Sequence, residues 1–118
     1  MKLKTAFLTS LLLTSTAFAA DDITVDMTNL NTGESVGTVT ISSHPYGTVF
    51  TPHLKNLPTG IHGFHVHEIA SCDAKKKDGE LVLGGAAGSH YDPSNTGQHA
   101  APWSFEGHKG DLPALYVD

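Results

Sequence analysis

The sequence contains no arginine, one cysteine and one tryptophan. Without arginine, seven lysines face twelve acids and the formal net charge is −5. That balance excludes a nucleic-acid partner, because neutralising phosphates takes clustered cations. The one basic run, Lys75-Lys76-Lys77, reads as a solvated loop. A single cysteine excludes an internal disulfide framework within these residues. No apolar run approaches the roughly 20 residues that a membrane-spanning helix needs. Hydrophobic residues still make up 39%, enough for one small globular domain in 118 residues.

The longest apolar stretch is an address. Lys2 and Lys4 form a charged start, residues 6–13 are mostly apolar, and Ala17-Phe18-Ala19 has the small–x–small pattern of a cleavage site. Residues 1–19 therefore read as a secretory signal peptide cleaved after Ala19, and residues 20–118 as the mature domain. Losing Lys2 and Lys4 leaves five lysines against twelve acids, a mature net charge of −7. Export implies an oxidising compartment, the periplasm in a bacterium, where disulfides persist. Lone Cys72 is then a free thiol, half of an intermolecular bond, or a cysteine whose partner lies outside these residues.

The mature chain opens as β-structure. Ile23, Val25 and Met27 alternate with polar residues, the period of a half-buried strand. Residues 36–41 form a second, β-branched strand, and residues 48–54 a third after the turn His44-Pro45-Tyr46-Gly47. Three short strands with tight turns predict an antiparallel meander. Residues 61–68 read as a fourth strand and residues 112–117 as a last one. Between them, residues 71–110 are rich in glycine and proline and show little periodicity. So long a loop inside a compact domain points to function.

Histidine is over-represented, at eight residues, and unevenly placed. His65 and His67 stand two apart on the fourth strand, so both imidazoles leave one face while Phe64 and Val66 turn to the core. The long loop carries His90, His99, His108 and Asp111. Three imidazoles and one carboxylate suit tetrahedral zinc, and a metal clip orders a loop that has no core of its own. Gly107 and Gly110 would let the backbone bend around the ion. His44 and His53 read as surface residues. His62, on the opposite strand face from His65, reads as a structural hydrogen-bonder.

The segments Gly63-Phe64-His65-Val66-His67-Glu68, Gly88-Ser89-His90-Tyr91-Asp92-Pro93, Asn95-Thr96-Gly97-Gln98-His99 and Gly107-His108-Lys109-Gly110-Asp111-Leu112-Pro113 resemble, in order and spacing, the copper–zinc superoxide dismutases of the periplasmic bacterial branch. The resemblance implies an all-β fold, an eight-stranded Greek-key barrel or sandwich of immunoglobulin-like type, incomplete in this chain, with a long metal-binding loop. It implies copper on His65, His67 and His90, and zinc on His90, His99, His108 and Asp111. His90 would bridge the metals and carry a proton during catalysis, and Cys72 would be the loop cysteine of an internal disulfide. The implied substrate is superoxide, dismuted to dioxygen and hydrogen peroxide as antioxidant defence. Both homodimers and monomers are compatible with the resemblance.

Three parts of that family are absent: a fourth copper-ligating histidine, a second cysteine and an arginine beside copper. The expectation is that all three lie beyond Asp118, that the 118 residues are the N-terminal part of a longer enzyme, and that alone they are inactive. The alternative is a non-catalytic periplasmic protein that binds zinc or copper with the same histidines.

Overall fold

The structure is a computed structural model and describes residues 21–118. The expected signal peptide lies outside the described residues. The predicted meander forms from β1 (Ile23–Thr28), β2 (Ser35–His44) and β3 (Gly47–Leu54), in sheet order β1-β2-β3 and antiparallel throughout. Val25 stands opposite Val39, and Ile41 opposite Phe50, so β-branched and aromatic side chains meet across the strands. Pro45 and Tyr46 form the tight connection, with His44 opposite Gly47.

Strict alternation fails at one place in β2. Met27 pairs with Gly37 but Thr28 pairs with Ser35, which leaves Val36 as the extra residue of a bulge. Gly37 takes φ 117° there, and a β-carbon on it would lie 3.0 Å from the Leu54 Cα. The bulge resets the phase of the strand. Val36 and Val39, three apart, are consequently both buried, and they are the only buried apolar residues among those described.

The rest of the chain departs from the sequence reading in three ways. The fourth strand does not run through residues 61–68. β4 (Gly60–His62) ends early and pairs with β7 (Leu115–Val117). His65 and His67 then make isolated bridges to different partners, Asp111 and His90. The last strand is also shorter than residues 112–117, because Pro113 has no N–H to give a ladder. Finally, Lys75–Lys77 is not a loop. It forms β5, paired with β6 (Glu80–Val82) across Asp78-Gly79, whose φ values of 51° and 88° suit a two-residue hairpin turn. All six strand residues are exposed.

Phe64 packs edge-on against Phe50, with ring centroids 6.0 Å apart, while Val66 is 36% exposed rather than in a core. Phe50, Phe64, Leu112, Pro113 and Leu115 line an apolar cleft open to solvent. The described residues thus form an all-β, antiparallel structure without an α-helix, an incomplete sandwich whose apolar side is not covered by a second layer. None of their helical turns is long and apolar enough to cross a membrane.

Candidate metal centre

Three backbone segments meet at Val66. Its N–H donates to the Gly110 carbonyl at 2.9 Å, its carbonyl accepts from Tyr91 N–H at 2.8 Å, and Gly110 N–H donates to the Tyr91 carbonyl at 2.8 Å. On one side of this junction, Leu112 N–H reaches the Phe64 carbonyl at 3.1 Å. On the other, Glu68 and Ile69 N–H reach the Ser89 and Ala87 carbonyls, both at 3.0 Å. The junction sets His65 against Asp111 and His67 against His90, although 46 residues separate the first pair.

Glycine is needed here for room rather than for bending. Neither Gly107 nor Gly110 has positive φ. A β-carbon on Gly107 would lie 2.6 Å from the Ala100 β-carbon, and one on Gly110 would strike the Val66 carbonyl and lie 3.0 Å from Tyr91 N. Both glycines are buried, and the backbones they let approach carry the candidate ligands.

The histidines converge on one oxygen. The Nδ1 atoms of His99, His65 and His108 lie 3.1, 3.2 and 3.3 Å from Asp111 Oδ1, and His90 Nδ1 lies 3.9 Å away. Asp111 Oδ2 accepts from Ala100 N–H at 3.1 Å. Burial raises the Asp111 pKa, but the hydrogen bonds from Ala100, His99 and His108 outweigh it and hold the carboxyl well below the usual carboxylate range. One donor atom each from His65, His90, His99 and Asp111 lies within 4.8 Å of the others. Zinc–nitrogen and zinc–oxygen bonds of about 2.1 Å give tetrahedral edges of about 3.4 Å, so a small inward movement closes the set around an ion. Imidazole with a single carboxylate is a donor set for zinc and copper rather than for calcium or magnesium.

His90 is central to the cluster. Its ring stacks on His65 at 4.0 Å and 9°, and meets His67 and His99 edge-on at 4.9 Å and His108 at 5.5 Å. Burial first, and then the neighbouring imidazoles His65, His67, His99 and His108, push its pKa down and favour the neutral, metal-binding form. His67 stands beside His90 but outside the donor group. Its Nδ1–H donates to the Gly88 carbonyl at 3.2 Å, which leaves Nε2 as its ligand atom.

The structure therefore brings together His65, His90, His99, His108 and Asp111, with His67 adjoining through His90. Cys72 is an exposed free thiol. His44 and His53 are exposed, as expected of surface residues, and His62 Nε2–H donates to the Pro58 carbonyl at 2.6 Å, the anticipated structural bond. Sequence reasoning overlooked two supports. Asp92 accepts from Gly97 N–H at 2.9 Å and from the Thr96 hydroxyl at 3.2 Å, folding the loop between His90 and His99. Asp92-Pro93 followed by Asn95 and Gly97 is a turn signal that could have revealed it. Gln98 holds the next loop by its side-chain amide on the Glu106 carbonyl at 3.1 Å, while its own carbonyl accepts His108 N–H at 3.1 Å.

Known proteins resemble this chain in sequence and fold. The profile of the copper/zinc superoxide dismutase (SODC) family matches residues 35–118. The chain is 54% identical over 114 residues to superoxide dismutase [Cu-Zn] of Photobacterium leiognathi, covering 92% of this chain and 66% of that protein. It is 59% identical over 85 residues to the Pasteurella multocida (strain Pm70) protein of the same name, covering 72% and 46%. Among solved structures, the Cu/Zn superoxide dismutase from Brucella abortus superposes with a TM-score of 0.76 at 48% identity, covering 83% of this chain and 65% of that one. The monomeric copper, zinc superoxide dismutase from Salmonella enterica, solved in solution, gives 0.67 at 46% identity with the same coverage. The chain thus spans between about half and two-thirds of the length of these relatives. Family profile and relatives agree: this chain belongs to the copper/zinc superoxide dismutase family, and its histidine–aspartate cluster is a donor group that could hold a metal ion.

Proposed function

We propose that these residues supply the metal-binding part of a dismutase that converts superoxide to dioxygen and hydrogen peroxide. The observation that carries the reading is the convergence of four Nδ1 atoms on Asp111 Oδ1 with His67 beside His90. His90, His99, His108 and Asp111 would hold zinc, and His65, His67 and His90 would hold copper. When bound, copper supplies one-electron exchange with superoxide and zinc supplies fixed charge and order.

The protein's own part is positional and protonic. Asp111 keeps the imidazoles of His99 and His108 facing inward and remains ionised. His90 belongs to both sets. With Nδ1 directed at the Asp111 side, its Nε2 would face copper, and whenever that nitrogen is not ligated it could take up a proton and pass it to reduced substrate, so one ring would serve as ligand and proton carrier.

We assign residues 1–19 as the signal peptide, residues 20–118 as the dismutase domain and the periplasm as its location, supported by the charged, apolar and Ala17-Phe18-Ala19 pattern. Cys72 would be the loop cysteine of a disulfide, and its exposure leaves the thiol accessible to a partner. Dimerisation belongs to the same proposal and would be read from sedimentation.

A second reading, a zinc or copper binder without turnover, is favoured by one contact. His65 Nδ1 lies on Asp111 Oδ1, so copper- and zinc-type donors surround a single point. Superoxide consumption by the copper- and zinc-loaded protein, expressed from its full reading frame, decides between them. Activity lost in His65→Ala establishes the enzyme. Zinc binding that needs His108 with no superoxide turnover establishes the binder.

A further inference from the structure

We propose that Glu68 is a positioning residue whose carboxylate joins the His67 segment to the His90 segment and sets the spacing of those two imidazoles. The inference rests on the assignment of His67 and His90 as imidazoles sharing copper. Glu68 and Ser89 exchange two hydrogen bonds. Glu68 N–H donates to the Ser89 carbonyl at 3.0 Å, and Ser89 N–H donates to Glu68 Oε1 at 2.9 Å. Both backbone polar groups of Ser89 are thereby held by the residue that follows His67. His67 adds a third bond through its Nδ1–H on the Gly88 carbonyl. The dipeptide His67-Glu68 is therefore tied at three points to Gly88-Ser89, directly before His90.

Gly88 records how closely the carboxylate lies. It adopts φ 75° and ψ −152°, a region that other residues rarely enter. A β-carbon there would lie 2.7 Å from Glu68 Cγ and 2.9 Å from Cδ, and would also strike Oε1. The two chain segments approach at this point only because one residue has no side chain and the other supplies the acceptor. Across the joint, the His67 and His90 rings stand 4.9 Å apart at 88°. Acceptance of the Ser89 N–H needs an oxygen and not a charge, so glutamine can replace glutamate here.

Two readouts test this. In the metal-free chain, Glu68→Ala raises the Ser89 amide hydrogen-exchange rate by about five-fold or more, the factor for one hydrogen bond of ordinary net strength, while Glu68→Gln stays near wild type. In the copper-loaded chain, Glu68→Ala shifts the visible copper(II) absorption band and Glu68→Gln restores it. Glu68→Asp withdraws the carboxylate from Ser89 N–H by one methylene without removing it, and gives the same two signatures as Glu68→Ala. That variant takes the place of Glu68→Ala if the alanine variant fails to fold. Unchanged Ser89 exchange in Glu68→Ala, or a Glu68→Gln variant as perturbed as Glu68→Ala, overturns the proposal. Should the wild-type chain take up no copper, the assignment of the copper histidines falls, and the Ser89 amide alone then judges the joint.

Discussion

The β1–β3 meander and the loop that carries the proposed ligands are stabilised by different means. The meander has long ladders and, among the described residues, the only two buried apolar ones, Val36 and Val39. Residues 63–112 bury no apolar side chain. Glycine contacts at Gly107 and Gly110, the junction at Val66 and the hydrogen bonds to Asp111 hold them instead. Hydrophobic burial orders a segment regardless of what is bound, whereas an array of imidazoles around one carboxylate is ordered fully only when an ion replaces the protons. Stability and metal affinity should therefore separate along the chain.

The largest break in that comparison is Asp111→Ala. It removes a proposed ligand, the common partner of the imidazoles and the acceptor for Ala100 N–H. Zinc affinity should fall by more than about 100-fold, beyond the loss typical of an outer-sphere partner, with amide exchange in β2 unchanged. Competition against a chelating dye measures the first, and exchange by NMR the second. The converse is Val39→Ala in the meander. Cutting a side chain that is 3% exposed should cost about 2 kcal/mol of stability in a urea melt and leave zinc affinity as it was.

The pH response sharpens the contrast. Burial and neighbouring imidazoles hold the His90 pKa below 6.5, so the unfolded chain takes up that proton first. The stability of the metal-free protein should stay level above pH 6.5 and fall as pH drops below it. Asp111, also depressed, contributes stability above its ordinary value of 3.8, and that contribution is lost only at lower pH, as the carboxyl protonates in the folded chain. Melting curves at stepped pH should show loss in the loop before loss in the meander. The smallest effect is expected at Gly79. With φ 88°, Gly79→Ala should loosen the β5–β6 hairpin by about 1 kcal/mol without altering metal binding or the meander melt.

The meander was legible because Ile23, Val25 and Met27, and then the β-branched residues of β2, carry a period of two that needs no distant partner. The residues that converge at the candidate site were legible as chemistry, from the His65–His67 spacing and from three histidines and Asp111 in one loop. Their arrangement was less so. The strand predicted over 61–68 changes partners at Val66, an outcome set by Tyr91 and Gly110 far along the chain. The lysine run hid a hairpin because exposed strands carry no apolar alternation, although Asp78-Gly79 marked its turn. Glu68 looked like the polar end of a motif, since nothing local shows that Ser89 lies within its reach.

The junction at Val66 also bears on the order of assembly. His65 and Asp111 are joined across 46 residues, but Tyr91 divides that span into two shorter closures, 66 to 91 and 91 to 110. Each closure costs less chain entropy than the whole, and once 66 and 91 are joined only the 91-to-110 span separates Val66 from Gly110. Pulsed hydrogen exchange during refolding should find the Tyr91 amide protected before that of Val66, whose acceptor is Gly110. The ligand pocket would then close as the last event of folding, leaving a metal ion to meet a chain that is already looped rather than an extended one.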